Sequence, residues 1–498
     1  MEPPDGSGRA RNVRLLGPLH HREFRLLWIG MSTSLVGDGV LMVGLVWQVY
    51  ALTGSPAAMS AVGVALSLPQ VATLLFGGVL SDRLDRRRVM LCSDLVRAAS
   101  LATLAVLTLS GGPRLWQILV IAACHGAAAG FFGPAFDGLV PELVEEDGLV
   151  AANAIDQFVR PTAMQIVGPA LGGALIAVSG VGWAFALDAL TFTVSVGCLL
   201  AMRRPTPVAA RAVAARAVAA DWSPQDARHR TTSRHRAEHL TRAASRNARA
   251  LARQRDSAES LWAELGEGLR YVRGRVWLWG PLVAAALAYL LFLGPTEVLL
   301  PYLIKNVMGG GAGDLGLVLT SGGLGAIAAA LAVGRFGLPR RYLTFMYLTW
   351  AVATFAVAGY GFGRSTWQLG VACALVNGFE AAGTVAWATA KQRLVPTRLL
   401  GRVSSVDWFV STALLPLSYA LTAPVAEAVG VRQTLVGAGV LGGVVTFAFL
   451  FLPGMHAVER ASEQGTTAGR RPAHRAREAS RRAAAQAAAN QHEGTVAA

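Results

Sequence analysis

Twelve apolar runs, most of them about 20 residues long, fill the greater part of this chain, and a helix of that length crosses the hydrocarbon of a bilayer. They fall at 24–51, 58–80, 90–110, 115–135, 158–179 and 182–202, and then at 277–300, 313–334, 342–362, 366–389, 405–429 and 432–453. Such apolarity exceeds what one soluble domain can bury: 53% of the 498 residues are hydrophobic, 15% are charged, and mean hydropathy is +0.44. The expected fold class is an all-α membrane protein with twelve transmembrane helices. A polar stretch at 203–276 divides the runs evenly into two six-helix bundles, 24–202 and 277–453.

Arginine sets the expected orientation, because loops kept in the cytoplasm collect basic residues. The N-terminal segment 1–23, the 81–88 turn, the 203–276 linker, Arg335 with Arg340 and Arg341, Arg393 with Arg398 and Arg402, and the tail 454–498 all fall on one side. The other side has scattered charges such as Arg114, Lys305, Arg364 and Arg432. Both termini are expected in the cytoplasm, with the protein in the plasma membrane. Residues 137–147 place five acids on the same side, but acids weigh little in this rule. The run from Phe24 to Leu52 is too long for the core of a cleavable signal and is read as the first span.

The linker holds sixteen arginines against seven acids. Its stretch from Arg242 to Arg249 either lies as a basic helix on anionic lipid or is retained by charge alone, without structure. From Glu259 to Val276, apolar residues at helical spacing suggest an amphipathic lead-in to the seventh span. The tail is polar, alanine-rich and expected to be disordered. The net charge of +15 comes almost wholly from arginine, with Lys305 and Lys391 the only lysines, a pattern of codon bias more than of a nucleic-acid surface. Cys92, Cys124, Cys198 and Cys373 are widely spaced and are expected to be buried free thiols, with no metal spacing among them.

The two halves echo each other. Leu139-Val140-Pro141 followed by Asp156-Gln157-Phe158-Val159 reappears as Leu394-Val395-Pro396 followed by Asp407-Trp408-Phe409-Val410, each at the start of the fifth span of its half. Two bundles related by an axis along the membrane normal leave such a parallel repeat. Between the second and third spans lies Gly78-Val79-Leu80-Ser81-Asp82-Arg83-Leu84-Asp85-Arg86-Arg87-Arg88, a charged clamp whose counterpart in the second half, Arg335 to Arg341, keeps the arginines and lacks the acid. The clamp resembles the Gly-x-Leu-x-Asp-Arg-x-x-Arg-Arg motif of the major facilitator superfamily, and more specifically of its drug and macrolide efflux branch. Asp85 stands where many members have glycine, which leaves the turn geometry open.

That resemblance implies a major facilitator fold with alternating access. Gly78, Asp82, Arg83, Arg86 and Arg87 would form the cytoplasmic gate, and Asp156 and Asp407 would pair with clamp arginines. Gly168-Pro169-Ala170-Leu171-Gly172-Gly173 resembles the motif associated with antiporters of the superfamily, although Met164 replaces its upstream glycine. Small residues there admit a neighbouring helix and the proline bends the span; plain packing is the alternative reading.

An ionisable residue inside a span is costly and therefore a functional candidate. Asp38 lies near the middle of the first span, where a carboxyl group withdrawn from water becomes a switchable proton site; the alternative is permanent neutralisation by a neighbouring helix or by backbone donors. Glu380, among small residues of the tenth span, is the second proton-coupling candidate. Glu297 and Asp188 are expected nearer the outer ends as hydrated carboxylates, and His125 as a satisfied polar residue. Trp28, Trp47 and Phe379 are candidate substrate-cavity aromatics.

Catalytic classes fall away. Neither lysine follows glycine, so no phosphate-binding loop exists, and the dinucleotide-like match Gly311 to Gly316 follows a span rather than a strand. Zinc-protease and nucleophile-elbow motifs are missing. The expectation is a non-enzymatic exporter of amphipathic or hydrophobic small molecules, driven by protons, embedded in lipid, functional as a monomer and needing no cofactor, metal or nucleic acid. A dedicated metabolite or siderophore exporter is the nearest alternative, and a transport-inactive sensor acting through the linker is the alternative of another class.

Overall fold

The computed structural model describes residues 17–144, 155, 158–203, 269–455 and 459. The arginine-rich middle of the linker, Asp156 and most of the tail therefore lie outside the described residues, as do all residues before Gly17.

Twelve helices long and apolar enough to span a membrane are present among the described residues. The first six are α1 (Arg22–Thr53), α2 (Pro56–Arg83), α3 (Arg86–Leu109), α4 (Leu115–Leu143), α5 (Phe158–Ser179) and α6 (Val181–Ala201). The second six are α7 (Val276–Val307), α8 (Ala312–Phe336), α9 (Tyr342–Phe362), α10 (Thr366–Leu394), α11 (Thr397–Ala413 continued by Leu415–Val429) and α12 (Val431–Phe449). The glycines that close α1 and α5, Gly54 and Gly180, have φ of 61° and 89°, a left-handed backbone that stops each helix where a tight reversal is required.

Packing repeats with a period of six helices. In the first bundle α2 packs on α4, α1 on α5 and α6, and α3 on α4 and α6; in the second, α8 packs on α10, α7 on α11 and α12, and α9 on α10 and α12. The two main contacts between bundles, α2 with α11 and α5 with α8, exchange under the same operation. A parallel repeat in the sequence is thus a pseudo-two-fold in the packing.

Two spans depart from regular α-helix, each beside proline. Pro169 has no N–H for the Gln165 carbonyl and its ring crowds that oxygen. The chain responds with a π-helical turn, Thr162–Val167, in which the Gly168 N–H reaches back to the Ala163 carbonyl. In α7 a second π turn, Leu303–Val307, follows Pro301 and carries the span beyond the 300 expected from hydropathy.

The bundles seal against each other at the end opposite the start of α1. Tyr50 of α1 donates to the Val298 carbonyl of α7 at 2.5 Å, and its ring lies 5.4 Å from that of Tyr302. Lys305 donates to the Trp47 carbonyl at 2.9 Å and sits 4.4 Å from the centre of the Trp47 ring. Gly173 of α5 and Gly316 of α8 meet so closely that a Cβ on either would stand 3.2 Å from the other's Cα. Among the described residues, hydrogen bonds between the bundles all belong to this end or the middle of the spans. The cysteines depart from expectation, since Cys373 alone is buried and Cys92 and Cys124 are exposed.

Candidate functional site

Four helices of the first bundle bring five titratable side chains together inside the span. Asp38 of α1 accepts from Arg97 Nη2 of α3 through both carboxylate oxygens, at 2.6 and 2.8 Å. Arg97 Nη1 also lies 3.9 Å from Asp94, one turn earlier on its own helix. Asp94 in turn accepts from the Ser195 hydroxyl of α6 at 2.6 Å. His125 of α4 places Nε2 3.8 Å from Asp38, and its ring stands edge-on to Phe192. Asp188 of α6 lies against Gly37, accepts from the Thr191 hydroxyl at 3.2 Å, and feels the charges of Asp38 and Arg97.

The wall of this cluster is aromatic. The Arg97 guanidinium lies 4.1 Å from the centre of the Phe192 ring and 6.0 Å from that of Phe132, so the ring faces hold the cation where water is scarce. Charge balance is uneven, with three carboxyl groups and one guanidinium. Exposure separates the acids: the Asp38 side chain is 16% exposed, those of Asp94 and Asp188 not at all. Asp38 is therefore the one carboxylate of the three that keeps exposed surface. Asp94 Oδ1, Asp188 Oδ2, Arg97 Nε and His125 Nδ1 are buried without a hydrogen-bond partner, which leaves the network room to exchange protons and partners.

The proline-glycine segment of α5 lies directly beneath this site. A Cβ at Gly168 would stand 2.6 Å from the Gly39 Cα, and one at Gly172 would stand 3.1 Å from the Val40 Cα. Gly173, one residue on, turns to the other bundle and meets Gly316. One face of α5 thus touches the backbone beside Asp38 and the next touches α8.

The Major Facilitator Superfamily profile matches residues 27–417, well over half of the chain. The chain belongs to the major facilitator superfamily. This makes it a multi-pass secondary transporter and not an enzyme. Among curated proteins it is similar to macrolide efflux protein A of Streptococcus pyogenes, with 22% identity over 424 residues covering 84% of this chain and 93% of that one. It is 26% identical over 452 residues to the multidrug efflux pump Tap of Mycolicibacterium fortuitum, covering 88% and 97% of the two chains. Against the enterobactin exporter EntS of Escherichia coli it is 27% identical over 424 residues, covering 82% and 88%. Of solved structures, the nucleoside transporter NupG aligns at TM-score 0.55 and 13% identity over 86% of this chain and 99% of that one. A bacterial homologue of the iron transporter ferroportin in an inward-facing state aligns at TM-score 0.54 and 17% identity, covering 87% and 99%. Both likenesses concern the fold.

Within this facilitator the remaining candidates are placed as follows. Gly78, Asp82 and Arg83 lie in α2, but their side chains are outside the described residues, as is the whole of Asp156. Arg86 pairs with Glu142 of α4 at 2.8 Å, and Arg87 donates to the Leu199 and Leu200 carbonyls of α6 at 2.6 and 3.0 Å. Asp85, the residue that departs from the motif, caps α3 by accepting from the Arg87 N–H at 3.1 Å.

Asp407 differs from expectation. It is held inside its own bundle by Lys391 of α10 and by the Trp387 indole N–H at 2.9 Å, rather than by a clamp arginine. Trp28 is core and not cavity: it is 6% exposed and stacks on Phe24 at 5.5 Å. Trp47 belongs to the seal, beneath Lys305. Phe379 lies on an exposed apolar stripe of α10 with Val371 and Leu375, the face suited to lipid. Asp188 is buried rather than interfacial, and Glu297 accepts from the Tyr419 hydroxyl of α11 instead of standing free in water.

Arg97 and Asp94 escape the sequence reading. Both sit inside the third apolar run, three residues apart and hence on one helix face. An arginine and an acid that the hydropathy of the run hides are as costly there as Asp38, and that cost was the available signal.

Proposed function

We propose that this facilitator exports amphipathic or hydrophobic small molecules across the plasma membrane in exchange for protons. The observation that carries the reading is the Asp38–Arg97 ion pair, in which Nη2 meets both carboxylate oxygens, set among two further acids and a histidine, with Asp38 alone of the three acids keeping exposed surface. The arginine distribution supports cytoplasmic termini, a reading in which the sealed end faces outward.

The proton acts on the Asp38–Arg97 tie. While Asp38 is charged, Arg97 binds α3 to α1. A proton on Asp38 removes the counter-charge and leaves the guanidinium to Asp94 on its own helix, 3.9 Å away. The tie across α1 and α3 then loosens, and Gly39, beside Asp38, transmits the change to Gly168 and through α5 to the contact with α8. The unit is the monomer, and the substrate is a small molecule drawn from the cytoplasm or the inner leaflet.

A dedicated siderophore or metabolite exporter is a second reading, favoured by the likeness to the enterobactin exporter. Inverted membrane vesicles separate the two. Gradient-driven accumulation of several unrelated lipophilic compounds supports the first, and accumulation confined to one metabolite class supports the second.

A further inference from the structure

Three arginines, Arg270, Arg273 and Arg275, fall within six residues where the chain enters α7. All three are exposed, and among the described residues none of them forms an ion pair. Arg275 lies over the Tyr271 ring at 3.7 Å and donates to the Tyr271 carbonyl, so its guanidinium is folded back along its own turn. Arg273 has no hydrogen bond or ring contact among the described residues, and it lines a groove of about 370 Å³ between α7 and α11.

The rest of that groove is apolar. Trp279 and Val283 of α7, four residues apart, share one helix face, as do Val406 and Val410 of α11. Val272 also lines it and, with Val406, belongs to the buried core of this bundle. At 1.5 Å per residue, the stretch of α7 from Val276 to Val283 carries the groove roughly 10 Å into the span. Trp279 is half-buried in its wall, and the indole N–H has no acceptor among the described residues.

A cation at the water boundary, an indole N–H further in and apolar surface deeper still match the order of groups in a phospholipid: phosphate, glycerol ester, acyl chain. A soluble anion leaves the apolar walls uncovered, and a lipid without net charge answers the arginines poorly. The linker is a poor cover for the same cations, because it carries sixteen arginines against seven acids. With the start of α7 in the cytoplasm, the groove opens to the leaflet in which anionic lipid concentrates.

We propose that the groove between α7 and α11 binds one anionic phospholipid, with its phosphate on Arg273 and an acyl chain between Trp279 and Val410. The site needs only that the chain spans a bilayer, and it stands whether or not export is driven by protons. Its occupant lies against α11, through which this bundle meets α2 of the other.

Delipidated full-length protein in detergent is titrated with dioleoylphosphatidylglycerol, with dioleoylphosphatidylcholine, and with glycerol phosphate, which carries the anion without chains. Native mass spectrometry counts what is retained. The wild type is expected to retain one phosphatidylglycerol in preference to phosphatidylcholine, and no glycerol phosphate. Arg273→Gln is expected to weaken phosphatidylglycerol about fivefold and leave phosphatidylcholine unchanged. Arg340→Gln, which removes an exposed arginine at the same end of the molecule, is expected to alter neither. Val410→Trp, which fills the groove, is expected to lose the bound phosphatidylglycerol while eluting as a single species in gel filtration; should it fail to fold, Val283→Phe serves. Equal retention of the two lipids by the wild type, unchanged binding in Arg273→Gln, or equal losses in Arg273→Gln and Arg340→Gln overturns the proposal. Retention of glycerol phosphate at the same arginine assigns the groove to a soluble anion and overturns it as well.

Discussion

At the scale of single residues, the first bundle depends on a charge balance that one guanidinium holds. Removing Arg97 leaves Asp38, Asp94 and Asp188 together in a desolvated pocket, and breaking a buried pair in this way costs about 3–5 kcal/mol. Arg97→Gln is expected to lower the thermal unfolding temperature in detergent strongly. Asp38→Asn/Arg97→Gln, which removes both charges, is expected to be more stable than Arg97→Gln alone, and a double-mutant cycle of unfolding measures the difference. Asp38→Asn by itself should fold, bind substrate and fail to couple it to protons. Normal uphill export by that variant removes Asp38 from the coupling role. Asp38 was legible from sequence because a lone acid interrupts an apolar run; its partner was not, since Asp94 and Arg97 cancel within a span whose hydropathy stays high. Phe379 and Trp28 show the complementary limit. One apolar residue in a span can face lipid, cleft or core, and only packing decides which.

At the scale of elements, α5 couples the site to the other bundle. Its π turn spares the Gln165 carbonyl a clash with Pro169 and aims Gly168 at Gly39 and Gly173 at Gly316. The proline-glycine motif was readable in the sequence, whereas the π turn was not, because an extra residue in a turn leaves no compositional mark. Gly168→Ala places a methyl group 2.6 Å from the Gly39 Cα and is expected to cost about 1–3 kcal/mol through overpacking, while displacing Asp38. Gly173→Val acts at the inter-bundle contact instead. It is expected to leave the bundles folded but to open the outer seal, seen as faster thiol labelling of a cysteine placed at Trp47. Unchanged labelling counts against the closeness of α5 and α8 as a determinant of the sealed state.

At the scale of the whole molecule, two six-helix bundles touch through α2 with α11 and α5 with α8, and a rocking motion about those contacts changes which end is closed. Tyr50, Trp47 and Lys305 close one end. Cysteines at Trp47 and Lys305, joined by an oxidant, are expected to hold that end shut and stop transport, with recovery on reduction. The bundle count and the repeat were plain in the sequence because lipid demands long apolar runs and duplication preserved their order. The pairing of Asp407 with Lys391 was not, because residues sixteen apart on different helices meet only through the fold. The most direct measurement is accumulation of a macrolide and of lipophilic dyes in inverted membrane vesicles under a proton gradient, with wild type and Asp38→Asn side by side. Proton-coupled export through Asp38 predicts wild-type accumulation that collapses with the gradient and is lost in Asp38→Asn. Accumulation that survives collapse of the gradient, or is equal in the two proteins, contradicts it.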